Sequence, residues 1–238
     1  MLNFPPAGTP SVVCFLDETG VVAQDTYFAV GVLTVPEHSD LPTQVRKYRQ
    51  RSGWTGEWHF SGMNDHGLRI FKGLIDVLRD HPGWTYTLTL ADRSEFDVAQ
   101  VCGDRCVAYE RISAQSLSAS MLSGAQAVVL ADEYSTPDTV RFEEDVRWCV
   151  NTAAGANVVA GVVRVTSDCH DLMQASDVIT GALTYPYRQG AARTGKRPSA
   201  KRRLSTYVQA QLVGRTPINA FDPVWIETPR RPGSTTTP

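Results

Sequence analysis

Apolar residues recur along this chain in two rhythms, one of period two and one of period 3.6. Residues 12–18 and 126–133 are nearly continuous apolar runs, Val12-Val13-Cys14-Phe15-Leu16 and Ala127-Val128-Val129-Leu130-Ala131, and each runs into a pair of acids, Asp17-Glu18 and Asp132-Glu133. Such runs predict central strands buried on both faces. Residues 26–35, rich in Tyr, Phe, Val and Leu, predict an antiparallel partner for the first run across a turn at Thr19-Gly20. Residues 84–90 set Trp, Tyr and Leu against Thr, as a half-buried strand does, and 157–166 is a further Val-rich strand. Helical spacing covers 41–51, 65–79, 98–122, 137–154 and 168–185. In the second of these, Leu68, Phe71, Leu74, Ile75 and Leu78 form the apolar stripe, and His81-Pro82-Gly83 ends it. Gly103 is a candidate break in the third, Pro137 suits the first turn of the fourth, and Gly155 suits its end. Residues 1–10 and 54–63 are irregular, and 229–238 reads as a disordered tail. A hairpin followed by alternating helices and strands predicts a single α/β domain on a mixed sheet, residues 11–228.

Composition narrows the class. At 238 residues, 42% hydrophobic and 20% charged, the chain can bury a core and is not of disordered type. Its net charge of −2 gives no general attraction to polyanions, so any nucleic-acid binding needs a local patch. One such patch is Arg188, Arg193, Lys196, Arg197, Lys201, Arg202 and Arg203, in a stretch without acids whose Gly190, Gly195 and Pro198 favour mobility. Lysine and arginine there would contact phosphates, and the preceding Tyr185 and Tyr187 either stack on bases or pack on the body. Arg46, Lys47, Arg49 and Arg51 are a second basic surface. The cysteines, Cys14, Cys102, Cys106, Cys149 and Cys169, are odd in number, lack a C-x-x-C pair and read as reduced core residues rather than zinc ligands. No stretch is apolar enough to span a bilayer, and the start of the chain lacks the pattern of a secretory signal, so a cytoplasmic location is expected.

Four acids suggest chemistry: Asp17, Glu57, Asp132 and Asp177. If the two acid-tipped strands are parallel neighbours, Asp17 and Asp132 meet at the carboxyl edge of the sheet, where open α/β folds place their sites. Asp177 borders the buried stripe formed by Leu172, Ala175, Ser176, Ile179 and Leu183, and Glu57 lies among aromatics. Singly, each acid reads as a turn, cap or solvated residue. Together they are a ligand set for a hard divalent cation.

These residues also resemble a family. Phe15-Leu16-Asp17-Glu18-Thr19-Gly20 followed by Tyr27-Phe28-Ala29-Val30-Gly31-Val32 resembles the opening of the mostly bacterial DUF3800 proteins. Glu57-Trp58-His59-Phe60 is similar to their E-x-[KH] element, and Leu130-Ala131-Asp132-Glu133 to their mid-chain acidic strand. Ser167-Asp168 followed by Leu172-Met173-Gln174-Ala175-Ser176-Asp177-Val178-Ile179 resembles their closing helix, with Ser176 where alanine is usual. The resemblance spans residues 11–185. It implies a ribonuclease H-like fold and an acidic tetrad, Asp17, Glu57, Asp132 and Asp177, that holds Mg²⁺ or Mn²⁺ for phosphodiester hydrolysis of RNA or DNA. His59 would then assist proton transfer or contact a phosphate, unless it is a packing or surface histidine. Glu18, Glu133, Ser167 and Asp168 would take supporting roles; alternation along a strand turns Glu18 and Glu133 away from Asp17 and Asp132. The alternatives are a non-catalytic nucleic-acid-binding or protein-interaction module of a defence or mobile-element system, and a hydrolase of small phosphate esters. Nucleic acid is the expected partner and a membrane is not; a homodimer or a protein partner is left open.

Overall fold

The computed structural model describes residues 8–133, 140–189, 198–229 and 231–232. Its strands are β1 (Ser11–Thr19), β2 (Tyr27–Pro36), β3 (Thr85–Asp92), β4 (Gln126–Asp132), β5 (Val159–Val165) and the short β6 (Ile218–Ala220), in one sheet of order β5-β4-β1-β2-β3-β6. An antiparallel meander, β1-β2-β3, is extended from β1 by β4 and then β5, both parallel to it. This is the mixed sheet of a single α/β domain that the alternation of elements predicted, with β6 added parallel to β3.

Helices α1 (Leu41–Ser52), α2 (Leu68–Asp80), α6 (Asp171–Gln189) and α7 (Ala200–Gln211) cover one face, around Phe15, Leu33, Trp58, Phe71 and Tyr86. Helices α3 (Val98–Cys102), α4 (Arg105–Ser120) and α5 (Phe142–Ala154) cover the other, around Leu16, Val30, Tyr109 and Val129. The pleat of β1 divides its residues between them. Val13, Phe15 and Asp17 point toward α6, and Cys14, Leu16 and Glu18 toward α4.

Several sequence expectations shift. β1 is buried on both faces, but β4 is not: Val128 is 43% exposed, and on β5 Val163, which pairs with Leu130 on the same face, is 51% exposed. The reason is that α6 packs over β1 and β2 and leaves this face of β4 and β5 open. The region 98–122 divides at Gly103, whose φ of +68° ends α3. Helix α2 starts at Leu68 rather than 65, because the Asn64 side chain accepts from the amides of His66 and Gly67 and holds them in a turn. Helix α5 starts at Phe142, and Pro137 lies outside the described residues. The helix expected from 168 begins at Asp171, after a 3-10 turn at Ser167–Cys169. Of the basic segment expected to be mobile, Arg188 lies in the last turn of α6 and Lys201, Arg202 and Arg203 open α7; Arg193, Lys196 and Arg197 lie outside the described residues. Within the expected tail, Arg231 pairs with Glu144 and Asp145 of α5. Cys14, Cys106 and Cys149 are buried in the core, as read from the sequence. No helix of the described residues is long and apolar enough to cross a membrane.

Candidate active site

The in-register parallel pairing of β1 with β4 sets Leu16 beside Ala131 and so brings Asp17 and Asp132 level at the carboxyl edge. Both project from the face that α6 covers, and α6 supplies Asp177 above them. The helix sits this close because of what lies opposite Asp17 on β2. That residue is Gly31, and a Cβ there would come within 1.9 Å of the Tyr86 hydroxyl and 2.6 Å of Thr180 Oγ1. Tyr86 and Thr180 hydrogen-bond to each other over this glycine. Ser176 Oγ donates to the Phe15 carbonyl at 3.2 Å, tying α6 directly to β1. The serine that departs from the family pattern is therefore a helix-to-sheet link.

Glu57 arrives on the irregular segment between α1 and α2, which a polar hub holds in place. Gln174, buried on α6, accepts from the Trp58 amide at 3.0 Å and donates to the Ser167 carbonyl at 3.1 Å. Arg49 donates to Gln174 Oε1 at 2.6 Å, to the Gly56 carbonyl at 2.8 Å and to Asp171 at 2.7 Å, with its guanidinium 3.9 Å from the centre of the Trp58 ring. The backbone on both sides of Glu57 is thus fixed, and Ser167 Oγ donates to Glu57 Oε1 at 2.6 Å. Arg49, read from the sequence as part of a basic surface, is an internal strut.

Asp17 is 4% exposed, and its Oδ2 is buried with no hydrogen-bond partner. Burial first, then the charges of Asp177, Glu18 and Asp132, push its pKa well above the ordinary carboxylate value. Burial also raises Asp132, reinforced by Asp177 and Glu57, while the Glu133 amide, donating to Asp132 Oδ1 at 2.9 Å, works against the rise. His59 is half-exposed, and its Nδ1 bonds to Asp177 Oδ2; that bond raises its pKa. Glu18 lies on the opposite side, as alternation requires, and accepts from Tyr109 Oη at 2.9 Å. Burial pushes Glu18 up to about 7, against the pull of that hydroxyl. Asp168 sits in the 3-10 turn, and the Glu133 side chain is exposed.

The structure therefore gathers Asp17, Asp132, Asp177, Glu57 and His59 at one edge. Among the described residues, however, no three His, Cys, Asp or Glu side chains are oriented closely enough to enclose a metal ion. Asp177 turns one oxygen to His59 and Glu57 turns one to Ser167. The unpartnered Asp17 oxygen, ringed by acids, fits a cation that would draw these carboxylates inward. Sequence reasoning missed Gln174, Arg49 and Tyr109. Gln174 had a signal, a lone amide in an apolar helical stripe three residues before Asp177.

Beside the acids opens a cavity of about 730 Å³, walled by the β1–β2 turn, by His59, Phe60 and Ser61, and by Asp177, Tyr185, Arg188 and Lys201. Arg188 donates to Thr19 Oγ1 at 3.2 Å and to Asp25 at 3.3 Å, Arg203 pairs with Asp65, and Arg202 is exposed.

No protein-family model and no curated protein matches the chain. Among solved structures, ribonuclease H2 from Pyrococcus horikoshii OT3 is similar at 14% identity over 79% of this chain and 82% of that one, with a TM-score of 0.45. A chain of the PCNA:RNase HII complex from Archaeoglobus fulgidus is similar at 11% identity over 87% of this chain and 91% of that one, with a TM-score of 0.47.

Proposed function

We propose that the chain is a DUF3800-family, divalent-metal-dependent nuclease that hydrolyses phosphodiester bonds of RNA or DNA. The observation that carries this reading is the buried, donorless Oδ2 of Asp17 amid Asp132, Asp177 and Glu18. A structural acid in a core is normally answered by a cationic side chain or by N–H and O–H donors. Here the Thr180 hydroxyl opposes the shift only weakly and the other neighbours are further acids, so the cluster asks for protons or a cation.

Asp17, Asp132, Asp177 and Glu57 would hold Mg²⁺ or Mn²⁺, since an all-oxygen set suits hard cations. A cation bound there supplies charge that activates water and stabilises the leaving oxygen of a phosphodiester. The chain's own side chains orient and shield. Ser167 aims Glu57. Tyr109 steadies Glu18 behind the site. His59, on Asp177 and half open to water, is placed to hold or release a proton at its ring nitrogen. Arg188 and Lys201 stand across the cavity, where phosphate oxygens would find them.

One observation favours the non-catalytic alternative: Asp177 and Glu57 already have oxygens engaged by His59 and Ser167. Labelled single- and double-stranded RNA and DNA, incubated with Mn²⁺, Mg²⁺ or EDTA, separate the two. The nuclease reading expects cleavage only with metal, reduced roughly a hundredfold or more by Asp17→Asn and by Asp132→Asn. Binding without cleavage under every condition would favour the module.

A further inference from the structure

The cavity beside the acids has more than phosphate chemistry. Its wall carries the rings of Tyr27, Phe60 and Tyr185 as well as Arg188 and Lys201. Its volume, about 730 Å³, is that of an open cleft with room for a small organic ligand.

The wall is also built to stay in place. Gly20 turns the β1–β2 connection at φ +96°, and a Cβ there would come within 2.7 Å of the Tyr27 carbonyl. Tyr27 is backed by Tyr187, ring centres 5.9 Å apart, and Tyr185 meets Phe60 edge-on at 5.8 Å. Opposite, Gly181 lets α6 pass Phe60, which a Cβ would meet at 2.6 Å. Pro186, inside α6, has no N–H to give the Ala182 carbonyl, and Ser205 of α7 donates to that carbonyl at 2.7 Å. Tyr185 Oη hydrogen-bonds with Ser199 Oγ at the start of α7. The end of α6, with its tyrosines and Arg188, is therefore locked to α7 on one side. On the other, Arg188 reaches Thr19 and Asp25 of the β1–β2 connection.

We infer that this cavity receives one unpaired nucleotide of a single-stranded substrate, its base against Tyr27 and Tyr185 and an adjoining phosphate at Arg188 and Lys201. The inference rests on the nuclease reading and adds to it a preference for single strands. Aromatic rings recessed in a concave wall are open to a base that has left its stack. A base within a duplex would first have to be unpaired and unstacked, at a cost a single strand does not meet. The cavity adjoins His59 and Asp177, so a nucleotide held there sets its neighbour's phosphodiester at the acids.

The test uses the full chain carrying Asp17→Asn, in EDTA, with a fluorescent single-stranded oligonucleotide, a blunt duplex of the same sequence and a free mononucleotide as competitor. The single strand is expected to bind at least about tenfold tighter than the duplex, and Tyr27→Ala to weaken it by about tenfold while Tyr27→Phe does not. Arg188→Gln should weaken it as well. Equal binding of the duplex, indifference to Tyr27→Ala, no binding of the single strand, or a mononucleotide that competes as strongly as the strand would each overturn the subsite. Cleavage by the parent protein in Mn²⁺ keeps the two readings apart. Single strands bound through Tyr27 but never cut would sink the nuclease and leave the subsite. Cleavage confined to duplex, and unchanged by Tyr27→Ala, would do the reverse.

Discussion

The carboxyl of Asp17 has one buried oxygen without a hydrogen-bond partner, and Asp177, Glu18 and Asp132 crowd it electrostatically, against a smaller pull from the Thr180 hydroxyl. Without a cation, the folded state holds protons on Asp17, Asp132 and Glu18 more tightly than the unfolded chain does, because all three pKa values are raised. For acids shifted upward, the stabilising contribution is complete below the unfolded pKa and is lost as pH rises through the folded one. Melting in EDTA should therefore fall as pH climbs from the ordinary carboxylate range past about 7, where Glu18 titrates. Asp17→Asn removes the need to protonate, or to bury a charge at, the most crowded position, so at pH 8 it should raise the metal-free Tm by about 3–6 °C, what roughly 1–2 kcal/mol is worth in a chain of this size. A melting curve of Asp17→Asn that lies below the parent's at pH 8 would contradict this. Tyr109→Phe takes a side-chain donor from Glu18 and should cost about 1 kcal/mol, more at pH 8 than at pH 5, since a charged acceptor makes the stronger bond. At this scale the sequence was legible where an acid ended an apolar run, as at Asp17 and Asp132. It was not legible at Tyr109 or Gln174, whose roles come from partners about 90 and 115 residues away.

Two apolar runs alone identified β1 and β4, and alternation alone set Asp17 and Asp132 on the side opposite Glu18 and Glu133. What could not be read from local pattern was the depth at which α6 lies. That depth is set by the missing side chain of Gly31 beneath Tyr86 and Thr180. Gly31→Ala should lift α6 from β2, cost about 1–3 kcal/mol by overpacking and weaken metal binding along with stability. Denaturant midpoints and metal affinity measured on the same variant check both. Helix α7 was missed for a related reason: in AKRRLSTYVQAQ only Ala200, Leu204, Ser205 and Val208 are buried, too thin a stripe to announce a helix. The segment holding Glu57 has no periodicity to read, and Arg49 and Gln174 give it its shape. Arg49→Ala leaves the Gly56 carbonyl and Asp171 without that donor and should cost about 2 kcal/mol in denaturant melts, with a larger loss of metal affinity than of stability.

Across the whole molecule, a net charge of −2 conceals a division between acids at the sheet edge and the cations Arg188, Lys201 and Arg202 on the ends of α6 and α7. Substrate binding should weaken with salt, and Arg188→Gln should flatten the logarithmic slope by about 0.7, the share of one phosphate contact on a single strand. Most of the topology follows from features the sequence displays, because β1 to β5 each carry an apolar pattern, while the three-residue β6 carries none. The site follows less directly, since its four acids come from β1, β4, α6 and an irregular segment that only the tertiary fold assembles. Titrating the parent protein, Asp17→Asn and Asp132→Asn with Mn²⁺ in a calorimeter at pH 8 tests that assembly. Saturable binding in the parent, lost or weakened at least about tenfold in both variants, is the expected result. No binding in the parent, or binding that both variants retain, would contradict a cation site built from these acids.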